Sequence, residues 1–314
     1  MIKVCNTYSL NDLPLGTKGR AIALGMFDGL HSGHMDIIRK AVSVAERDGL
    51  TSTVQTFKNL FKQDSKTLYT SEERLNLVNR TGADELLVLD FDEVKDMEPE
   101  DYLQNVLLYR CIADTLIMGE DYRFGKDAKG DVAMIKEFSK ENGIRVIVVK
   151  DHLLEGTDRK ISTTWLRDAL AEGNVDLARS LCGGRNYVYS GRCVKGKQLG
   201  RSMGFPTANI IVPEEKFVVR RGVYVSRVRL GQRILYGVTN IGRRPTLEDA
   251  VNDVVETFIF DFDEDIYGAN LEIELMHFLR PESKMTSKEE LINAVNLNKE
   301  QALEYIKNLN SAVN

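Results

Sequence analysis

An α/β domain followed by a small β domain with a terminal helix is the architecture that this 314-residue sequence predicts. Up to Gly184, short apolar runs alternate with longer amphipathic ones. That is the rhythm of a doubly wound parallel sheet covered on both faces. Beyond Gly184, strand-like runs follow one another with turn residues between them, and a helical tail closes the chain. This pattern suits a small antiparallel barrel or sandwich. The predicted division is 1–184 and 185–314, and a hydrophobic content of 43% allows each half its own core.

The elements follow in order. "AIALGMF" (21–27) reads as a buried strand, and "MDIIRKAVSVAERDG" (35–49) as a helix stopped by Gly49. "TSTVQTF" (51–57) is a strand, and "SEERLNLVNRTG" (71–82) a helix opened by Ser71. "DELLVLDF" (84–91), "ADTLIMG" (113–119) and "GIRVIVV" (143–149) supply further strands, with helices over 99–112 and 131–143 between them. Residues 162–184 form two short helices closed by paired glycines. The second half reads as strands at 186–194, 222–230, 232–242, 253–262 and 271–279, then a single helical tail over 287–309. In "LEIELMHF", Leu271, Ile273 and Leu275 share a face at period two.

Bulk properties exclude several classes. A net charge of −5 argues against general affinity for nucleic acid or anionic membrane. "MIKVCNTYSL" lacks a basic stretch followed by an apolar run, so no secretory signal is expected, and no apolar stretch is long enough to span a bilayer. Cys5, Cys111, Cys182 and Cys193 form no C-x-x-C pair, which points to reduced thiols and a cytoplasmic location. Oligomeric state is not legible.

Two of the four histidines stand in "DGLHSGH" (28–34), just past the first strand and at the start of the first helix. Ligands of open parallel sheets bind at that edge, and a helix amino terminus suits phosphate. His31 and His34 are one turn apart, so both rings can face one ligand, and Gly33 between them leaves room for a triphosphate. Imidazole can donate to a developing charge on phosphate. The alternatives are a capped surface turn or half of an adventitious metal site, for which no cysteine or third histidine lies close enough in sequence to complete a zinc set. "STTWLR" (162–167) offers two hydroxyls, Ser162 and Thr163, and the guanidinium of Arg167 at a second helix start, apt for phosphate but also plain capping.

"VKGKQLGRSMGFPTANI" (194–210) forms a second constellation. Gly196, Gly200 and Gly204 let backbone N–H groups approach phosphates, and Lys195, Lys197 and Arg201 add charge, although a basic hairpin would read the same. Thr207 and Asn209 point to one side of an extended chain and are hard-oxygen ligands usable by Mg²⁺, although the same pair could simply bond a turn. In "VVETFIF", Glu256 shares a face with Val254, Phe258 and Phe260, an acid interrupting an apolar side or a solvent-facing strand end. The acidic run 261–268 reads as a solvated hairpin turn.

Through "GMFDGLHSGH" (25–34), "GEDYRFGK" (119–126), "ISTTWLR" (161–167), "GKQLGRSMGFPTAN", "VTNIGRRPT" and "LRPESK", the chain resembles the prokaryotic bifunctional riboflavin kinase/FMN adenylyltransferase family over nearly its full length. The resemblance implies a nucleotidylyltransferase-like first domain and a six-stranded barrel second domain. It implies ATP as co-substrate, riboflavin and FMN as acceptors, FMN and FAD as products, and Mg²⁺. By the resemblance Gly25, Phe27, His31, His34, Ser162, Thr163 and Arg167 belong to the adenylyl-transfer ATP site. Lys195, Gly196, Lys197, Gly200, Arg201 and Gly204 belong to the kinase ATP site, Thr207 and Asn209 hold Mg²⁺, and Glu256 is the base. Two departures stand out. Asn59, Leu60 and Phe61 replace the family's Pro-His-Pro, and Phe258 stands where histidine often occurs. The first leaves a narrower alternative open, a riboflavin kinase with an impaired adenylyl site. A non-catalytic flavin- or ATP-sensing protein and an adenylyltransferase for another acceptor are the remaining alternatives.

Overall fold

Six parallel strands form the first sheet: β1 (Asn6–Tyr8), β2 (Arg20–Leu24), β3 (Thr51–Lys58), β4 (Glu85–Asp90), β5 (Ala113–Gly119) and β6 (Arg145–Val149). Their order, β1-β4-β3-β2-β5-β6, reverses direction between β2 and β5. The crevice outside the carboxyl ends of those two strands is where such sheets bind ligands. This is a computed structural model, and it describes residues 5–14, 18–58, 66–196, 205–245, 251–283 and 285–311.

In this unit the helices are α1 (Ser32–Asp48), α2 (Ser71–Asn79), α3 (Phe91–Val94), α4 (Pro99–Asp101) and α5 (Val132–Glu141). α1 buries Ile38, Ala41, Val42 and Ala45, and ends at Gly49, whose φ of 69° only glycine adopts cheaply. Ser71, expected to open α2, is its first helical residue. The cap is Thr70, which forms a reciprocal capping box with Glu73. The helix expected over 99–112 is α-helical only at α4 and continues as a π-helix, Tyr102–Arg110, ending with the Cys111 N–H on the Val106 carbonyl. Leu24, Leu87, Tyr102, Leu103, Leu116 and Ile135 are among the core residues of this unit.

The chain divides into two compact units, Met1–Thr163 and Thr164–Asn314. The division falls before the paired glycines at 183–184 because α6 (Thr163–Glu172) and α7 (Val175–Leu181) bond into the second unit. The Arg220 N–H donates to the Leu170 carbonyl at 3.0 Å, and His277 pairs with Asp176 at 2.8 Å.

The second unit holds β7 (Tyr187–Arg192), β8 (Thr207–Ile211), β9 (Gly222–Leu230), β10 (Arg233–Pro245), β11 (Val251–Ile259) and β12 (Asn270–Pro281) in one antiparallel sheet of order β7-β12-β9-β10-β11-β8. The sheet curls into a half-barrel, and a bridge between Val194 and Asn209 links its two edges. Val255, Thr257 and Ile259 on β11 point to the interior and are buried. On the opposite face Val238, Phe258 and Phe260 pack with Ala302 and Ile306 of α8 (Lys288–Ser311), the terminal helix that the sequence predicts. β1 and β8 complete the two sheets and were absent from the predicted strands.

Candidate active sites

His31 is the N-cap of α1, with extended backbone at φ −68° and ψ 175°. Its Nδ1 accepts the His34 N–H at 3.4 Å, which places the hydrogen of a neutral His31 ring on Nε2. The two imidazoles stack with centroids 3.8 Å apart. Phe27 is fully buried and meets His34 edge-on at 5.3 Å, so its ring backs the imidazole. Phe27 takes a φ of 49°, and a Cβ at Gly25 would lie 2.8 Å from its ring, so glycine is what the turn admits there. Burial pushes the His34 pKa well below the ordinary histidine value, and the nearby positive groups His31 and Lys160 push the same way. His34 is therefore neutral at physiological pH, with Nδ1 buried and without a hydrogen-bond partner among the described residues.

These rings line a cleft of about 160 Å³ together with Ser162, Thr163, Lys160 and His152. The fold thus brings the second-helix hydroxyls to the histidine pair from more than 120 residues away. Lys160 bonds Asp121 at 2.6 Å and pairs with Asp151 at 2.8 Å. Burial opposes its charge, yet the two carboxylates outweigh that and raise its pKa. Arg167 lies in the second unit with its guanidinium 5.4 Å from the Phe217 ring centroid. Asn59, Leu60 and Phe61 lie outside the described residues.

In the second unit the site is built across β8 and β11, where Asn209 stands opposite Glu256 and Thr207 opposite Phe258. The Thr207 hydroxyl donates to Glu256 Oε1 at 2.8 Å. The Asn209 side-chain amide donates to the Thr207 carbonyl at 3.2 Å, while its Oδ1 is buried with no hydrogen-bond partner among the described residues. A buried acceptor left unpaired costs about 1–3 kcal/mol unless a ligand or ion satisfies it. Two clefts meet at Thr207. One, about 280 Å³, is walled by Gly196, Asn209, Cys193, Phe262, Asp265 and Tyr267. The other, about 250 Å³, holds Glu256 among Phe205, Val238, Phe258 and Val295, with Arg280 at its polar end. Glu256 and Phe258 share the face that the period-two reading assigned them. Lys195 is exposed beside Gly196, whereas Lys197, Gly200, Arg201 and Gly204 lie outside the described residues.

Sequence reasoning missed part of both sites. The acidic run 261–268, expected to be a solvated turn, lines the first of these clefts through Asp263, Asp265 and Tyr267. Only its proximity in the fold to Thr207 reveals this. His152 and Lys160 carry no motif of their own. They reach the histidine cleft because a short hairpin, bridged between Leu153 and Lys160, returns the chain to it.

Comparison with known proteins finds matches to both halves of the chain. Residues 15–165 match the FAD synthetase family model and residues 183–306 the riboflavin kinase model. The bifunctional riboflavin kinase/FMN adenylyltransferase of Bacillus subtilis (strain 168) is 32% identical over 298 residues, covering 92% of this chain and 93% of that protein. The protein of the same description from Escherichia coli (strain K12) is 31% identical over 292 residues, covering 90% and 91%. A solved structure described as a macrolide-efflux protein from Streptococcus pneumoniae superposes with a TM-score of 0.81 at 27% identity, covering 94% of this chain and 97% of that one. Among the described residues no helix is long and apolar enough to cross a membrane. Two domain matches in the order of the two clefts, and relatives matched over nearly their whole length, place this chain in the bifunctional riboflavin kinase/FMN adenylyltransferase family.

Proposed function

We propose that this protein phosphorylates riboflavin to FMN in its domain 185–314 and adenylylates FMN to FAD in its domain 1–184, drawing on ATP for both. The observation that carries the kinase reading is Thr207, the shared wall of a polar cleft and an apolar one, with its hydroxyl on Glu256. In this reading the triphosphate occupies the cleft beside Gly196, and the flavin ring lies in the apolar cleft between the sheet and α8. The ribityl 5′-hydroxyl then approaches the seam. Glu256, aimed by Thr207, accepts its proton as the oxygen bonds to the γ-phosphorus and the bond to the β-phosphate oxygen breaks.

Mg²⁺ fits the residues present, since the orphan Oδ1 of Asn209 and the oxygen of Thr207 are hard donors on the wall of the nucleotide cleft. Thr207 and Asn209 would hold it, and it supplies charge neutralisation on the phosphates. In the other half, His31, His34, Ser162 and Thr163 would bind the triphosphate while the FMN phosphate attacks the α-phosphorus and pyrophosphate leaves. Arg167 is assigned to the same nucleotide by the family motif alone. The unpaired, buried thiols support a cytoplasmic setting. Nucleic acid has no place in this reading.

The test is product analysis with riboflavin, ATP and Mg²⁺. FMN followed by FAD is expected. FMN alone would support the narrower kinase reading that the change at Asn59–Phe61 favours, and neither product would end the proposal. Glu256→Gln should lower FMN formation by about a hundredfold or more while FAD formation from supplied FMN persists. A near-normal rate removes Glu256 as the base.

A further inference from the structure

Beside the histidine pair stands an arrangement that neither motif explains. His152 lines the same cleft as His31, His34 and Lys160, and its Nδ1 lies 2.5 Å from Asp36 Oδ2. Asp36 is two residues beyond His34, so it projects from the first turns of α1 next to the cleft. The contact joins α1 to the base of the hairpin that ends at Lys160, and the backbone supports it through the Ile161 N–H donating to the His152 carbonyl at 2.9 Å. A Cβ at Gly33 would lie 3.6 Å from His152 Cβ, so the residue closes directly over the helix start.

Charge bookkeeping in this cleft is unusual for a triphosphate site. Lys160 is already engaged by Asp121 and Asp151, and Lys150 is the other lysine of the lining. Two lysines against two carboxylates leave no net positive charge. Asp36 adds a further carboxylate at the rim, with Arg39 3.9 Å from its other oxygen. His34 is kept neutral by burial, and His31 spends its Nδ1 on the helix. The remaining imidazole is His152, half-exposed, with Nδ1 held by a carboxylate and Nε2 the nitrogen left for a ligand.

We propose that His152, oriented by Asp36, is a third imidazole of the nucleotide cleft and donates from Nε2 to a phosphate oxygen of the bound triphosphate and of the released pyrophosphate. In that arrangement Nδ1–H stays on Asp36 while Nε2–H meets the phosphate. This deepens the adenylyl-transfer reading of the cleft and rests on it.

Two measurements on the full-length chain test the pair. With only four histidines, each ring Cε1–H signal can be assigned by single substitution. Inorganic pyrophosphate, added at fixed pH, should move the His152 signal, and the Asp36→Asn variant should show a smaller movement. In FAD synthesis from FMN, His152→Ala should raise KM for ATP about tenfold, the scale of one charge-assisted hydrogen bond, with riboflavin phosphorylation unchanged. His152→Arg should recover most of that loss. An unmoved His152 signal overturns the proposal, as does an unchanged KM in an active enzyme. If the wild-type chain makes no FAD, the adenylyl reading fails on that result. The pyrophosphate titration still decides whether His152 meets a phosphate.

Discussion

His34 illustrates how burial turns a motif residue into a particular chemical species. Its folded pKa lies well below the ordinary value, whereas the unfolded chain takes up a proton near pH 6.5. The unfolded state therefore binds more protons as pH falls through that value. The stability of the first unit is present above it and declines below it, by at most about 1.4 kcal/mol per pH unit for one group. A His34→Gln chain lacks this term. Comparing urea midpoints by circular dichroism from pH 7.5 to 5.5, wild type should lose ground to the variant as the solution acidifies. A constant gap between the two curves would show that the ring is not held neutral. The identity of this residue was legible from the H-x-G-H spacing, but its protonation state was not, since Phe27 and the stacked His31 ring create it.

Among the elements, β12 carries the most irregular pairing. Its ladder with β9 shifts register between Leu275 and His277 and again between Phe278 and Arg280, and it ends with Pro281 opposite Gly222. Gly222 takes a φ of 154°, and a Cβ there would run into the Arg280 carbonyl oxygen and lie 2.8 Å from the Phe278 ring. Both obstacles are fixed, one being backbone and the other packed at 5.1 Å against Tyr224. Gly222→Ala should therefore destabilise the second unit by about 1–3 kcal/mol. Fluorescence of the lone tryptophan, Trp165, which belongs to that unit, should report a lower unfolding midpoint. An unchanged midpoint would mean that the strand start relaxes freely. Most strands and α1 were readable: the parallel strands as short apolar runs buried on both faces, such as β2, and α1 from its one buried stripe. The π-helical turn at Tyr102–Arg110 was not readable: its apolar spacing also suits an α-helix, and the bond from the Tyr102 hydroxyl to Gln55 comes from another element.

Across the whole molecule, the four cysteines give one prediction that spans both units. All are buried and unpaired, and burial raises the thiol pKa of each, to about 12 for Cys5 and Cys111. Thiolate is the reactive form, so the native chain at pH 8 should react slowly with Ellman's reagent and should titrate four thiols once denatured. A fast-reacting thiol in the native chain would contradict the burial, with Cys193 at the wall of the cleft beside Gly196 the first to examine. The sequence by itself determined the two-part architecture and the chemical inventory: paired imidazoles past a strand, a Thr-x-Asn pair, and an acid on an apolar face. Alternation and local spacing are properties of contiguous residues, and they survive without a fold. Tertiary structure alone decided the meeting of distant groups. It put Glu256 under the Thr207 hydroxyl, turned an acidic hairpin into a cleft wall, and set His152 against Asp36, because strand register and hairpin return join residues that no local spacing connects.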